Sequence, residues 1–267
     1  MKISINDKPV IIGSGLTLGD IAERHKAGAD VLILNGFPAP PDTALNEGDE
    51  LFLIRRGEIP SEEELEGLMV SRHTPGVHTR LKRGVVGIAG VGGLGSAVAV
   101  ALARVGVGTL VIADFDVVEP SNLNRQQYFI DQIGRFKVDA LVENLQRINP
   151  FISVEAHRVV LDPDNIPAIF SPCSIVVEAF DRADMKAMLV NRVLEAMPGC
   201  SVIAASGMAG YGLNNSIVTR KVSQRLYLVG DCISEAEPGN GLMAPRVGIA
   251  ASHQANQAVR ILLGEDE

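Results

Sequence analysis

The chain has no tryptophan and only three tyrosines and eight phenylalanines in 267 residues, which argues against an aromatic stacking platform for single-stranded nucleic acid. Its three cysteines, Cys173, Cys200 and Cys232, are far apart and make no CxxC pair, so neither a disulfide framework nor a self-contained four-cysteine zinc site can be written. A reducing cytoplasm is the simplest compartment for them. No GxxxxGK[ST] occurs, which excludes a P-loop ATPase. The opening MKISINDKPVII lacks a sustained apolar core with a cleavage site, and no signal peptide is expected. Residues 84–103 carry no charge and have the length of a membrane span. Six of those twenty positions are glycine (84, 87, 90, 92, 93, 95), however, which suits a strand turning into a helix. No membrane partner is expected.

What the chain does have is 46% hydrophobic residues, 21% charged residues and 27 glycines, the make-up of a small-residue α/β protein of one or two domains. The net charge of −8 is unevenly spread. Residues 1–66 hold six Lys and Arg against thirteen Asp and Glu, and the rest holds eighteen against nineteen. That asymmetry suggests two units and disfavours a nucleic-acid partner, because neither presents a basic surface.

In the first unit, residues 1–57, Ile3 and Ile5 and then Val10–Ile12 flank a polar turn, the pattern of a strand pair. A short helix begins near Thr17. VLILNG (31–36) reads as a buried strand, and GDELFLIRRG (48–57) as another. The order strand, strand, helix, strand, strand resembles the β-grasp fold of ubiquitin-like proteins, and the LNG…GDEL wording is similar to the sulfur carrier ThiS. Such carriers end in a free Gly-Gly, whereas here Arg55-Arg56-Gly57-Glu58 continues into the chain. A carboxylate locked in a peptide bond cannot be adenylated. Two roles stay open for the unit, a docking element or a carrier released by proteolysis. Residues 58–83 read as a linker and helical segment with an acidic face.

The second unit, residues 84–267, opens with the apolar run GVVGIAG. The turn Gly90-Val91-Gly92-Gly93-Leu94-Gly95 follows, then the helical SAVAVALARVG. Strand, glycine turn and helix make a phosphate cradle, since bare backbone amides and a helix N-terminus face the ligand. TLVIAD (109–114) places Asp114 where a ribose-binding acid belongs. These features indicate a Rossmann-like, mostly parallel sheet with helices on both faces, and leave NAD and ATP undecided.

Asp116, then Ser121-Asn122-Leu123-Asn124-Arg125-Gln126, then Lys137 at a helix start, tip the balance. Hydride transfer has no need of fixed cations beside a pyrophosphate; nucleotidyl transfer does, because charge develops on the transferred phosphorus. With Glu178-Ala179-Phe180-Asp181 at a later strand end, this set resembles the ThiF/MoeB/HesA family of ubiquitin-activating-type adenylyltransferases over residues 84–263.

The resemblance implies ATP and Mg²⁺, with Gly90, Gly92, Gly93 and Gly95 lining the phosphates, Asp114 and Asp116 near the ribose, and Asn122, Arg125 and Gln126 facing the triphosphate. Lys137 would polarise a phosphate, Asp181 would hold the metal, and an upstream arginine, Arg72 or else Arg80, would come from the other subunit of a homodimer. A hard-oxygen site of one carboxylate plus phosphate oxygens suits Mg²⁺. The implied partners are a free ThiS-like sulfur carrier and a sulfur-donor protein, and the implied reaction is activation of the carrier's C-terminal carboxylate for thiamine biosynthesis. A crossover loop before the last helix, VGIAASHQANQAVRILLG, would cover the carrier tail, with Ile249, His253, Ala255, Val259 and Leu262 on or near one helix face.

Zinc is not expected, because the two CxxC pairs of many relatives are missing. Cys232 lies slightly early for a sulfur-handling cysteine on that loop. Blander roles stay open: Asn122 as a turn cap, Lys137 as a solvated helix residue, Asp181 as a helix N-cap, and His253 as a satisfied core side chain. The rival functions are an NAD-dependent oxidoreductase, a non-catalytic scaffold with a docking β-grasp module, and activation of a different small molecule or tRNA-linked carboxylate.

Overall fold

The computed structural model describes residues 1–6, 8–62, 64–65 and 76–265. They belong to two compact units, Met1–His78 and Thr79–Glu267. In the first, Ile3 and Ile5 alternate with polar residues in strand β1 (Lys2–Ile5), which pairs antiparallel with β2 (Lys8–Ile11) after a turn at Asn6, where φ is +47°. Helix α1 (Leu18–His25) starts where the sequence predicts. The Thr17 hydroxyl accepts the Asp20 N–H, and the Asp20 carboxylate accepts the Thr17 N–H at 2.9 Å, which satisfies two orphan donors reciprocally.

Strands β3 (Val31–Leu34), β4 (Phe37–Pro38) and β5 (Glu50–Ile54) complete a sheet of order β2-β1-β5-β3-β4, with β1 and β5 parallel at its centre. Ile3, Ile5, Leu18, Ile21, Leu51 and Leu53 fill its core. This is the expected β-grasp arrangement with two differences. The two-residue β4 is too short to show any periodicity. For the same reason it leaves its neighbour β3 half-buried along its whole length, where a buried strand was expected.

In the chain order of the second part, helix α2 (Val77–Lys82) spans the division between the units and precedes β6 (Val85–Ala89), α3 (Gly93–Arg104), β7 (Thr109–Asp114), α4 (Lys137–Ile148), β8 (Ser153–Arg158) and α5 (Ile166–Phe170). Then come β9 (Ile175–Glu178), α6 (Ala183–Ala196), β10 (Ser201–Ala205), β11 (Val218–Ser223), β12 (Leu226–Gly230) and α7 (Ala244–Leu262). The sheet order is β11-β12-β10-β9-β6-β7-β8, parallel except for β11 at one edge. The chain leaves β6 toward β7 on one side and later returns through β9 on the other. The order therefore reverses between β6 and β9, and the crevice at their carboxyl ends is where such sheets bind ligands.

Helices α3 and α7 pack against each other, with Val247 Cγ1 3.1 Å from where a Cβ on Gly93 would lie, and each helix buries several small residues, Gly95, Ser96, Ala99 and Ala103 in one and Ala250, Ala251, Ala255 and Ala258 in the other. Of the five α7 residues expected on or near one helix face, Ala255 is buried and Ile249, His253, Val259 and Leu262 are half-buried. His253 Nδ1 meets Thr219 Oγ1 at 3.0 Å, so this histidine is a satisfied packing residue. No helix among the described residues is long and apolar enough to cross a membrane.

Candidate active site

Strand β6 ends at Ala89, and Gly90 turns the chain with φ +86°. A Cβ on Gly95 would lie 1.9 Å from the Gly90 carbonyl oxygen, so the loop can fold back over the first turn of α3 only if residue 95 has no side chain. Gly92 precedes α3 and supplies no side-chain cap. The orphan amides and the positive end of the dipole are therefore left for an anion.

Asp114 closes the other side of this loop from the end of β7. Its Oδ2 accepts the Val91 N–H at 2.7 Å and its Oδ1 the Asp116 N–H at 2.9 Å, which ties the β6 loop to the β7 end. Each carboxylate oxygen still has a lone pair for a hydroxyl. The Tyr128 hydroxyl donates to the Val91 carbonyl at 2.7 Å, and burial, with the Asp114 charge, pushes its pKa well up.

Asp116 Oδ2 accepts from Lys137 Nζ at 2.8 Å, and the Lys137 N–H bonds the Asp116 carbonyl at 2.9 Å. With its side chain only 7% exposed, Lys137 is no solvated helix residue. The pair is a cation held at the crevice by a fixed counter-charge.

The SNLNRQ segment begins within a 3-10 turn, Pro120–Asn122. Asn122 Oδ1 accepts the Glu119 N–H at 3.0 Å, so this buried side chain does cap its turn. Arg125 packs along the helix entrance: a Cβ at Gly93 would be 3.3 Å from its Cγ. Its Nη1 donates to Asn124 Oδ1 at 2.8 Å. The Gln126 amide nitrogen would be 3.7 Å from a Cβ on Gly92, and its buried Oε1 has no partner among the described residues. Asn124 Nδ2 donates to the Leu242 carbonyl at 3.0 Å. That link lies inside the motif, yet only the fold reveals what Asn124 reaches.

At the end of β9, Glu178 is fully buried, accepting Lys186 Nζ at 3.0 and 3.2 Å and the Phe180 and Ala205 amides. Burial raises its pKa against the pull of Lys186. The next residues, Ala179 and Phe180, lie against Gly90, within 3.1–3.3 Å of where its Cβ would be. Asp181 follows, exposed and without a hydrogen bond or ion pair among the described residues. It does not cap α6, whose N-cap is Arg182. Among the described residues no group of three or more His, Cys, Asp or Glu could hold a metal by itself. One free carboxylate beside a phosphate cradle fits Mg²⁺, which relies on phosphate oxygens and water for the rest.

Arg72 lies outside the described residues. Arg80 donates Nη1 to the Leu263 carbonyl at 2.7 Å, closing the end of α7. Cys232 is exposed with φ +62°, and Arg220 Nη1 donates to its Sγ at 3.1 Å. Before α7 lies an open groove of about 640 Å³, lined by Tyr211, Leu213, Asn214, Ser234 and Asn240 among others, none of them charged. Sequence reasoning gave no role to Asp231 and Arg246, whose ion pair lies beneath it.

Comparison with known proteins adds five findings. The ThiF family model matches residues 67–267, and the ThiS-like ubiquitin model matches residues 1–57. Molybdopterin-synthase adenylyltransferase of Escherichia coli K12 is 32% identical over 192 residues, covering 69% of this chain and 75% of that protein. Adenylyltransferase and sulfurtransferase UBA4 of Candida glabrata is 31% identical over 209 residues, 73% of this chain; the match spans about half, 47%, of that longer protein. Among solved structures, E. coli tRNA N6-threonylcarbamoyladenosine dehydratase, TcdA, in complex with AMP superposes with a TM-score of 0.69 at 20% identity, covering 78% of this chain and 98% of that one.

Proposed function

Since this chain belongs to the ThiF family and carries a ThiS-like ubiquitin domain ahead of it, we propose that it is an ATP-dependent adenylyltransferase activating the C-terminal carboxylate of a ubiquitin-like sulfur carrier. The observation that carries the reading is the placement of Arg125 and Gln126 against Gly93 and Gly92, at the uncapped start of α3. An NAD enzyme has no use for that cation.

In this reading the carrier's terminal carboxylate oxygen attacks the α-phosphorus of ATP. The new P–O bond forms as the bond to the β-phosphate oxygen breaks, giving acyl-adenylate and pyrophosphate. Amides at the start of α3 hold phosphate oxygens, and Asp114 accepts from a ribose hydroxyl. Arg125 offsets charge developing on the equatorial oxygens. Lys137 acts through its fixed pair with Asp116, which sets where its ammonium lies. Asn122 shapes the turn that presents Arg125. Asp181 would hold Mg²⁺, which supplies charge neutralisation of the leaving pyrophosphate. Holding both substrates in one crevice makes the attack effectively unimolecular.

Asn240 of the neutral groove lies two residues before Leu242, which Asn124 ties beside Arg125, and an extended carrier tail without charged side chains suits the groove. The ThiS-like match of the N-terminal unit supports a carrier of the thiamine type, a sulfur-donor protein acting on the adenylate, and a cytoplasmic setting. A second copy of the chain, supplying Arg72, fits the exposed Phe129 and Ile130 beyond the SNLNRQ segment.

The test is carrier-dependent exchange of labelled pyrophosphate into ATP, using free ThiS-like proteins from the same genome. Arg125→Ala is expected to lower the exchange rate by about 100- to 1,000-fold with the melting temperature unchanged. Asp181→Ala should raise the Mg²⁺ requirement. Exchange that survives both changes at the wild-type rate overturns the assignment.

A further inference from the structure

Arg246 follows Pro245 in the first turn of α7, and its side chain is 4% exposed. A cation so buried must be paired and hydrogen-bonded to be tolerated. Its Nη2 meets Asp231 Oδ2 at 2.6 Å and donates to Ser216 Oγ at 3.1 Å, and its Nη1 donates to the Leu213 carbonyl at 3.0 Å. Asp231 is equally committed. Its Oδ1 accepts the Ile233 and Ser234 N–H groups at 2.8 Å each, and its Oδ2 accepts the Ser234 hydroxyl at 2.5 Å. Burial alone would raise the pKa of Asp231, but the Ser234 and Ile233 hydrogen bonds and Arg246 outweigh it and hold the group well below the usual carboxylate range.

These bonds end on two different segments. Leu213 lines the groove from one segment, with Ser216 three residues on, and Ser234 lines it from another, next to Ile233. Glycines make room for the pair. A Cβ on Gly212 would sit 3.4 Å from the Arg246 guanidinium, and one on Gly207 would fall 2.1 Å from Asp231 Oδ1. The next residue, Val247, faces the nucleotide helix, since a Cβ on Gly93 would be 3.1 Å from its Cγ1. One helical turn therefore touches both the groove wall and the phosphate cradle.

We propose that Asp231 and Arg246 are positioning residues: a buried latch that clamps the two groove walls in register and aims a carrier's extended C-terminal tail at the phosphates. The tail as occupant rests on the function proposed above; the clamping of the walls does not. The latch touches neither ATP nor the reacting carboxylate, so it acts on carrier binding and leaves nucleotide binding alone.

The test uses the full chain with Arg246→Lys, which keeps the charge but replaces the planar two-nitrogen fork by a single point charge, with Asp231→Asn, and with Ser216→Ala, which removes a single bond. Amide hydrogen exchange without substrate is expected to quicken in residues 211–216 and 231–241 in the first two variants and to change least in Ser216→Ala. With a ThiS-like carrier, KM for the carrier should rise at least about tenfold in Arg246→Lys and Asp231→Asn, while kcat and the calorimetric Kd for ATP stay within about twofold. Unchanged exchange in both walls overturns the latch. So does a fall in ATP affinity parallel to that for the carrier, or a lowered melting temperature with carrier KM unmoved, since each marks a general structural role. If the wild-type chain activates no carrier, the adenylyltransferase reading fails by itself, and the substrate-free exchange measurement still decides the latch.

Discussion

The five-stranded sheet and the β6 end of the seven-stranded sheet treat their polar groups in opposite ways. In the five-stranded sheet, side chains bond the backbone wherever the chain turns. Asn35 Oδ1 accepts the Glu50 amide, Asp49 accepts from Asn46 and Asn35, and Asp30 takes both the amide and the Nε of Arg56. The stretch that would be a loose tail in a free carrier is thus tied to its own domain. In the seven-stranded sheet, the β6 end meets a helix whose first turn has no cap and whose neighbours are glycines. A region that satisfies its own donors is built to stay folded. One that leaves them open, at a cost to itself, is built to receive something.

That contrast breaks most sharply at glycine. Gly95→Ala forces a methyl into the Gly90 carbonyl, and a displacement of about 1 Å at the cradle is worth on the order of 100-fold in activity, so pyrophosphate exchange and ATP affinity should both collapse. Gly13→Ala in the first unit meets nothing within 4 Å and serves as the matched control, with stability within about 0.5 kcal/mol of wild type.

A second measurement asks whether every buried polar group near the crevice serves the ligand. Glu178→Ala leaves the Lys186 ammonium facing the ends of β9 and β10 without its carboxylate, and unfolding in urea should show a loss of about 3 kcal/mol. A smaller loss with impaired exchange would move Glu178 from the frame of the site into its chemistry.

The smallest effect sharpens the other half of the comparison. Thr17→Ala removes the capping box of α1 and should cost about 1 kcal/mol by thermal unfolding, with pyrophosphate exchange unaltered. A change in exchange rate there would mean that the first unit takes part in the reaction.

How much of this was legible in the sequence follows from the range of the interactions involved. β6, β7 and α1 appear within a residue or so of their expected places, because apolar runs and a Thr-x-x-Asp cap are local signals. β11 and β12 were not foreseen. They are an edge hairpin whose outer strand is mostly exposed, so no apolar alternation marks it.

The crevice residues came as a cluster because the SNLNRQ wording is contiguous. Lys137 could be named from its place, but its pairing with Asp116 spans 21 residues and depends on α4 starting where it does. Asp231 and Arg246 carried no signal at all. Nothing about an aspartate and an arginine fifteen residues apart says that their charges will share a dry interior.

The contact between α3 and α7 sets a tolerance for the whole second unit. Val247 meets Gly93 at the cradle while Arg246 beside it bonds the Leu213 carbonyl at the groove, so a single turn of α7 spans both. Variation can recolour the outer surfaces of these helices freely, but one methyl added at Gly93, 3.1 Å from Val247 Cγ1, would press on the turn that joins cradle to groove.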